Sequence, residues 1–416
     1  MATKILIINQ PLNNRGDESA HKGLVRRMLS SIENVEITVL FWGGMPNLSD
    51  SIRQFSVKSP RVNYVIYNPS IAKGVKLLQN VGLKYNMDLL WNFHPAIRKY
   101  LEYFKASDIV VCAPGGMCMG GFQNWSHLFN LQCAKLSRKP LAYYGRSFGP
   151  FPVRTKDNRL FKKASIKLLD YFSYLSIRDN KTKMIADELG VKNYISVVDT
   201  AFLDSPHVTI PDIILKQIGD AHYFVFVPNL LIWHPAYKKT VSKEDIITFY
   251  CRMLKIIFEK KPGLIAVMLP QTFNYGTYEG DDINLFREIK NAVRFGNKVC
   301  VVDDIYSSDI QQTIISKSEF MIGARYHSVV FAINNKTPFV ALNYEHKISG
   351  MLESLNLSEN QIDIVEAIKT SEGRNSILNQ LSLKLDSLSV NNEAYELAKK
   401  ISKEGFIRFE EYVENQ

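Results

Sequence analysis

Cysteine is scarce. Five residues in 416, at irregular spacing and odd in number, exclude a disulfide framework and point to reduced thiols in the cytosol. Long uncharged apolar runs are also missing. The longest candidate, Phe320 to Leu342, is broken by Arg325, His327 and Lys336, short of the ~20 residues a membrane span requires. The apolar part of the N-terminus, Lys4 to Asn9, is too brief for a signal peptide and reads as a buried strand. No Cys/His cluster has metal-site spacing. The G-x-S-x-G elbow, H-E-x-x-H, the P-loop and G-x-G-x-x-G are absent, as is any nucleic-acid-reading motif. Solenoid repeats and low-complexity tracts are absent too. The expectation is a cytoplasmic globular protein.

What is present is ordinary in bulk: 46% apolar and 22% charged residues. The length predicts two or three domains of ~150 residues each. Lys and Arg number 51 against 41 Asp and Glu, a formal charge of +10, and they are spread along the chain. Spread charge argues against a nucleic-acid partner. It fits a phosphorylated small substrate or an anionic membrane surface.

Apolar β-branched runs alternate with amphipathic stretches. Strands are predicted over Lys4–Asn9, Val35–Phe41, Val62–Tyr67, Asp108–Ala113, Pro140–Gly145, Tyr174–Arg178 and Ile195–Val198. A second series covers Tyr223–Pro228, Leu264–Leu269, Val299–Val302, Phe320–Ile322 and Pro338–Leu342. Helical patterns lie between them, among them Asp17–Ser31, Trp125–Ser137, Asn180–Leu189 and Tyr326–Asn334. Continuous apolar strands alternating with helices mean βαβ units and parallel sheets covered on both faces. The fold class is therefore α/β, with two Rossmann-like domains. The boundary is placed in the Pro-rich stretch from Asp204, giving domains 1–205 and 206–385. Residues 386–416 form a C-terminal helix that, by analogy with two-domain α/β transferases, returns to the first domain. Residues 69–98 show no clear period and are read as a helical insertion or lid.

In open parallel sheets ligands bind beyond the carboxyl ends of the strands. Several segments sit there. Asn14-Arg15-Gly16-Asp17-Glu18 opens a helix; Gly16 permits a close backbone approach and Asp17 can cap, so the segment is either an anion or sugar site or a plain cap. Pro114 to Gly121 holds four glycines in eight residues, either a ligand cradle or a turn. Tyr143 to Pro150 ends a strand in glycines around Arg146, and its tyrosines either stack on a sugar or pack in the core. Arg178 ends another strand, either clamping a ligand or pairing with an acid such as Asp179. In Gly323-Ala324-Arg325-Tyr326-His327 a strand meets a helix whose first turn favours anions. There Arg325 offers a planar fork, and His327 either a proton near neutral pH or a structural cap of its own turn. Lys347 follows the next strand, a compact charge for phosphate or a solvent-facing side chain. If the two carboxyl edges face one cleft, Arg178, Arg325, His327 and Lys347 converge on a small polyanion.

These motifs, in this order from about residue 5 to 355, resemble the polysaccharide pyruvyl transferase family. The resemblance implies a GT-B-like fold and transfer of a pyruvyl group from phosphoenolpyruvate to a sugar, forming a ketal and releasing phosphate. It implies no metal and no cofactor, phosphoenolpyruvate being a substrate. It assigns His327, Arg178 and Lys347 as catalytic residues, with Arg325 and Gly323 joining Arg178 and Lys347 around the donor. The acceptor side takes Asn14, Gly16, Asp17, Gly115, Gly116 and Arg146. Two departures fall on that side: Met117 stands where many members have a third glycine, and Arg146 where many have Gln. In this reading His327 protonates the methylene carbon, the cations hold phosphate and carboxylate, and two sugar hydroxyls close the ketal. A lipid-linked acceptor at the inner face of the membrane, in capsule or exopolysaccharide assembly, suits the basic surface. The competing readings are a nucleotide-sugar glycosyltransferase of the same architecture and a non-catalytic carbohydrate-binding protein.

Overall fold

The structure is a computed structural model that describes residues 2–12, 14–43, 47–69, 73–116, 118–232, 237, 240–273 and 281–416. The chain forms two parallel sheets. The first contains β1 (Thr3–Ile8), β2 (Val35–Trp42), β3 (Val62–Tyr67), β4 (Ile109–Cys112), β5 (Leu141–Tyr143), β6 (Tyr174–Ile177) and β7 (Ile195–Ser196), in the order β3-β2-β1-β4-β5-β6-β7. The second contains β8 (Tyr223–Val227), β9 (Ile265–Met268), β10 (Val299–Val301), β11 (Met321–Gly323), β12 (Phe339–Asn343) and β13 (Gln361–Asp363), ordered β10-β9-β8-β11-β12-β13.

The central strand β1 explains why its sequence is apolar from Ile5 to Ile8. Ile5 pairs with Ile37 on one side and Ile109 on the other. Ile5 and Ile7 point into one core, with Val25, Met28 and Val111. Leu6 and Ile8 point into the other, with Trp91, Tyr100 and Val110. Side chains alternate across a strand, so burying both faces requires apolar residues at every position. Each such side chain contributes about 2 kcal/mol of transfer free energy.

The chain divides into two compact units. The first comprises 1–12, 20–204 and 400–416; the second comprises 13–19 and 205–399. Residues 13–19, assigned from sequence to the first domain, thus group with the second unit. In the C-terminal helix Asn392–Glu414, Phe406 and Phe409 enter the core of the first unit. There Tyr174 donates its hydroxyl to the Gly405 carbonyl at 3.0 Å, and Phe409 meets Tyr144 edge-on.

The stretch 69–98, where it is described, is helical: Val75–Tyr85, a short 3-10 turn Asp88–Phe93, and the start of Pro95–Lys105. Trp91 is fully buried and donates to the Leu78 carbonyl at 2.8 Å, locking turn to helix. Further helices, Leu48–Phe55 and Ser371–Asp386, and strand β13 are additions to the sequence reading. Among the described residues no helix is long and apolar enough to cross a membrane.

Candidate active site

In the second unit, β11 ends at Gly323 and the chain turns into helix Tyr326–Asn334. A Cβ on Gly323 would lie 2.2 Å from Ser328 Oγ, whose hydroxyl donates to the Arg325 carbonyl at 2.6 Å. Glycine is therefore required by the tightness of this turn. Arg325 occupies the N-cap position with extended backbone. Its guanidinium pairs with Asp282, which is buried in the first turn of helix Asp282–Ala292. Asp282 also accepts the Gln271 and Thr272 amides at 3.0 and 2.9 Å. Asp282, itself held by these two amides, thus fixes the fork in place. Arg325 Nε is buried and has no hydrogen-bond partner among the described residues.

His327 is the second residue of the same helix and is buried, with Tyr326 edge-on at 5.0 Å. Its ring lies against Gly16. A Cβ on Gly16 would stand 1.8 Å from His327 Nδ1 and 2.0 Å from Cγ. The glycine of the first motif does permit a close approach, to an imidazole. Helix Arg15–Ser31 starts earlier than the sequence indicated, and Asn14 rather than Asp17 caps it. Asn14 Oδ1 accepts the Gly16 amide at 2.7 Å and the Asp17 amide at 3.4 Å. Asp17 lies inside the first turn. Arg15 and Glu18, both without solvent exposure, pair at 2.9 Å. Glu18 also accepts the Ser308 amide at 3.1 Å, at the start of helix Ser308–Ser316.

Strand β12 neighbours β11, with Gly323 opposite Ala341, so the residues that follow each strand share one sheet edge. Past β12, Glu345 occupies the N-cap position of helix His346–Ser354 with extended backbone, and its carboxylate holds Lys347 Nζ at 3.0 Å. Burial acts to raise the Glu345 pKa. The Lys347 charge and hydrogen bond, with the Tyr344 hydroxyl, outweigh burial and hold it below the usual carboxylate range. Tyr344 also lies beside Arg325, and burial pushes its phenol well up, keeping it neutral. Two linked groups result, Asp282 with Arg325 and Tyr344 with Glu345 and Lys347, and the Arg325 charge acts on the Tyr344 phenol between them.

In the first unit, β6 delivers Arg178 to the carboxyl edge. Its side chain is 2% exposed and pairs with Asp199; Nε donates to Ser147 Oγ at 3.3 Å. Of the two readings of Arg178, the structure shows an ion pair, with Asp199 in place of Asp179. Asp179 instead caps helix Asn180–Glu188, accepting the Thr182 amide at 2.9 Å. The glycine loop after β4 runs beside the loop after β5. Gly149 donates its amide to Met119 at 2.8 Å, and a Cβ on Gly120 would stand 2.4 Å from Gly149 Cα. Gly120 thus serves a backbone-to-backbone contact, Gly115 pairs with Arg146, and Gly116 faces open space. Tyr144 stacks on Tyr174 in the core.

Arg146 is 1% exposed. Nη1 donates to the Ala113 carbonyl at 2.7 Å and the Asn9 carbonyl at 3.4 Å. It lines a cavity of about 380 Å³ beyond β1 and β2, together with Asn9, Trp42, Cys118, His127 and Asn130. The volume is that of a small-molecule site. Asn9 is left-handed (φ 61°) and accepts from Asn130 Nδ2 at 2.7 Å. Burial, then the Arg146 charge, press the His127 pKa well down, so this imidazole is neutral. The sequence reading missed Asn9, Trp42, His127 and Asn130. Asn9 and Trp42 carry the strand-end signal, and His127 and Asn130 stand three residues apart in a mostly apolar helix, Trp125–Leu136.

The structure therefore gathers Asn14, Gly16, Asp17, Gly323, Arg325, His327 and Lys347 in the second unit, and Gly115, Gly116, Arg146 and Arg178 in the first. Among the described residues no group of three His, Cys, Asp or Glu could hold a metal ion.

The fold is similar to that of GT-B-type enzymes. One is the UDP-GlcNAc 2-epimerase of Neisseria meningitidis solved with UDP-GlcNAc, with a TM-score of 0.59 and 13% identity, covering 98% of this chain and 100% of that one. Another is the UDP-GlcNAc 2-epimerase of Methanocaldococcus jannaschii, with a TM-score of 0.57, 11% identity, and coverage of 99% and 100%. In sequence, the chain is 23% identical over 378 residues to the amylovoran biosynthesis protein AmsJ of Erwinia amylovora, covering 87% of this chain and 88% of that protein. The family described as polysaccharide pyruvyl transferase matches residues 14–346, from the Asn14 cap to the helix that carries Lys347. That match takes in most of the chain and every residue placed above at the two sheet edges except Asn9 and Lys347, and this protein is a member of the polysaccharide pyruvyl transferase family.

Proposed function

We propose that this protein transfers the three pyruvyl carbons of phosphoenolpyruvate to a sugar of a polysaccharide or lipid-linked saccharide, releasing phosphate. Family membership supports pyruvyl transfer, and the relative named for amylovoran biosynthesis supports a polysaccharide context. The observation that carries the donor assignment is Arg325: a buried, pinned guanidinium whose Nε–H lacks a partner among the described residues. A buried donor left without an acceptor costs about 1–3 kcal/mol, which an anionic oxygen would offset.

In this reading Arg325 takes the carboxylate and Lys347 the phosphate. His327 protonates the methylene carbon, leaving an oxocarbenium-like centre at the carbon that carries the phosphate. One sugar hydroxyl forms a C–O bond there, the C–O bond to phosphate breaks, and a second hydroxyl closes the ketal. Of the two hydroxyl protons, one balances the proton now on the methyl group and the other leaves with phosphate. Preorganised charge supplies the largest share of such catalysis. Arg178 keeps the role of a catalytic cation that the family resemblance gives it. The cavity beside Arg146 takes the acceptor, its Trp42 and asparagine lining being suited to a sugar.

A lipid-linked acceptor is supported by the surface of the helical stretch in the first unit. Leu77, Leu89 and Phe93 are exposed there, alongside exposed Lys73, Lys76, Arg98 and Lys99. Apolar and basic side chains together suit an anionic lipid surface. Co-sedimentation with vesicles containing phosphatidylglycerol should fall in a Leu77→Ser, Phe93→Ser variant; unchanged sedimentation contradicts the lipid reading.

The test of transfer is phosphate release from phosphoenolpyruvate against a panel of galactosides, glucosides and N-acetylmannosaminides. His327→Gln should abolish release with the fold intact, and normal release in that variant overturns the acid assignment. Phosphoenolpyruvate alone should raise the melting temperature. A rise with a nucleotide sugar instead would favour a glycosyltransferase.

A further inference from the structure

Buried cations on these sheet edges come with carboxylates. Arg15 faces Glu18, Arg178 faces Asp199, and Arg325 faces Asp282. Arg146 departs from this pattern. It is 1% exposed, yet its partners are two backbone carbonyls and the Cys118 sulfur. Its Nε is buried with no hydrogen-bond partner among the described residues. Neither Cys112 nor Tyr143 offers a negative charge. Burial pushes the Cys112 thiol up to about 11 and the Tyr143 phenol well up, and keeps His127 neutral. The described lining of the cavity contains no Asp or Glu. An isolated buried charge is strongly disfavoured unless a counter-charge or hydrogen bonds compensate it.

We infer that the cavity of the first unit selects an acceptor saccharide carrying a negative charge, and that Arg146 is the residue that reads this charge. The inference rests on the acceptor reading of this cavity proposed above. The ligand chemistry is an anionic oxygen group within reach of a guanidinium fork, flanked by amide groups of Asn9 and Asn130 and the apolar surface of Trp42. Two sources provide it: the carboxylate of a uronic acid, or the phosphate of a sugar linked through pyrophosphate. The guanidinium is held in advance by the Ala113 and Asn9 carbonyls, so little order is lost on binding.

The experiment is calorimetric titration of the full chain, without phosphoenolpyruvate, using methyl β-D-glucuronide, methyl β-D-glucoside and inorganic pyrophosphate. An anion should bind more tightly than the glucoside. Preference for the glucuronide identifies a uronic acid, and preference for pyrophosphate identifies the carrier linkage. Arg146→Gln should weaken the preferred anion by roughly a hundredfold and leave the glucoside unchanged. Arg146→Lys should restore part of the loss. If Arg146→Gln proves unstable, Cys118, which lines the cavity, provides a second readout in the unaltered protein. At ten times its dissociation constant the anion should slow Cys118 alkylation about tenfold, and the glucoside should not. Equal binding of all three probes, no anion binding, or unchanged anion affinity in Arg146→Gln overturns the inference. So does loss of phosphoenolpyruvate binding in that variant, because the cavity would then hold the donor. Anion binding without phosphate release would sink pyruvyl transfer alone; phosphate release without anion preference would sink this inference alone.

Discussion

Gly16→Ala tests the geometry around His327 without touching the imidazole chemically. The new Cβ would fall 1.8 Å from His327 Nδ1, 2.0 Å from Cγ and 2.5 Å from Cε1. Ordinary contact begins near 3.4 Å, so the ring must retreat by about 1.6 Å or the helix start must shift equally. Gly16 lies in the first turn of its helix and does not have positive φ, so alanine itself is tolerated by the backbone. Alanine gains at most about 1 kcal/mol of helix propensity and loses about 1–3 kcal/mol to overpacking. Stability should therefore drop by about 3 kcal/mol or less, and the protein should fold. A displacement of that size at a proton donor costs about a hundredfold in kcat. Steady-state phosphate release and thermal melting would be measured together. Gly263→Ala, where a Cβ meets nothing within 4 Å, is the control. Wild-type kcat in Gly16→Ala refutes the reasoning, because His327 would then tolerate a position it cannot hold if it delivers the proton.

Three other outcomes follow from the same contacts. Asp282→Asn leaves the Arg325 charge buried without its anion, and urea unfolding should show a loss of about 3 kcal/mol; a loss below the error of the fit contradicts the pairing. His21 is buried against Gln10 and Tyr64, and burial presses its pKa down to about 3 from 6.5. The unfolded chain then binds the proton first, so stability should fall by about 2 kcal/mol from pH 6.5 to pH 5 through this group. His127 adds in the same direction. His21→Gln should flatten that limb of the stability curve; an unchanged slope refutes it. Glu345 titrates below its usual 4.5, so its stabilising contribution is present above that pH and is lost as pH falls through the folded value. The stability gap between wild type and Glu345→Gln should hold from pH 7 to about 4.5 and narrow only below it. A gap that narrows already at pH 6 contradicts the assignment.

The sheets were legible because doubly covered stretches such as Ile5–Ile8 must be apolar at every position, a pattern that needs no partner to be recognised. The strand-end rule then located Arg325, His327, Lys347, Arg178 and Arg146. Their partners were harder. Asp199 lies 21 residues from Arg178 and Asp282 lies 43 from Arg325, distances at which no local spacing carries a signal. Glu345, two residues from Lys347, was within reach of such reasoning. Asn14 and Asp17 both suit an N-cap, and only the position of the first turn decides between them. The helices of residues 75–105 were obscured for a different reason. Buried Val75, Leu83 and Trp91 are interleaved with exposed Leu77, Leu89 and Phe93, which erases the period a one-sided helix would show.

Pyruvyl transfer is tested most directly by incubating the purified protein with phosphoenolpyruvate and an acceptor saccharide, reading phosphate and product mass together. The account predicts one phosphate released for each saccharide that gains a pyruvate ketal, with neither event when the acceptor is omitted or His327 is replaced by Gln. Sugar transfer from a nucleotide sugar, with phosphoenolpyruvate left intact, would contradict it.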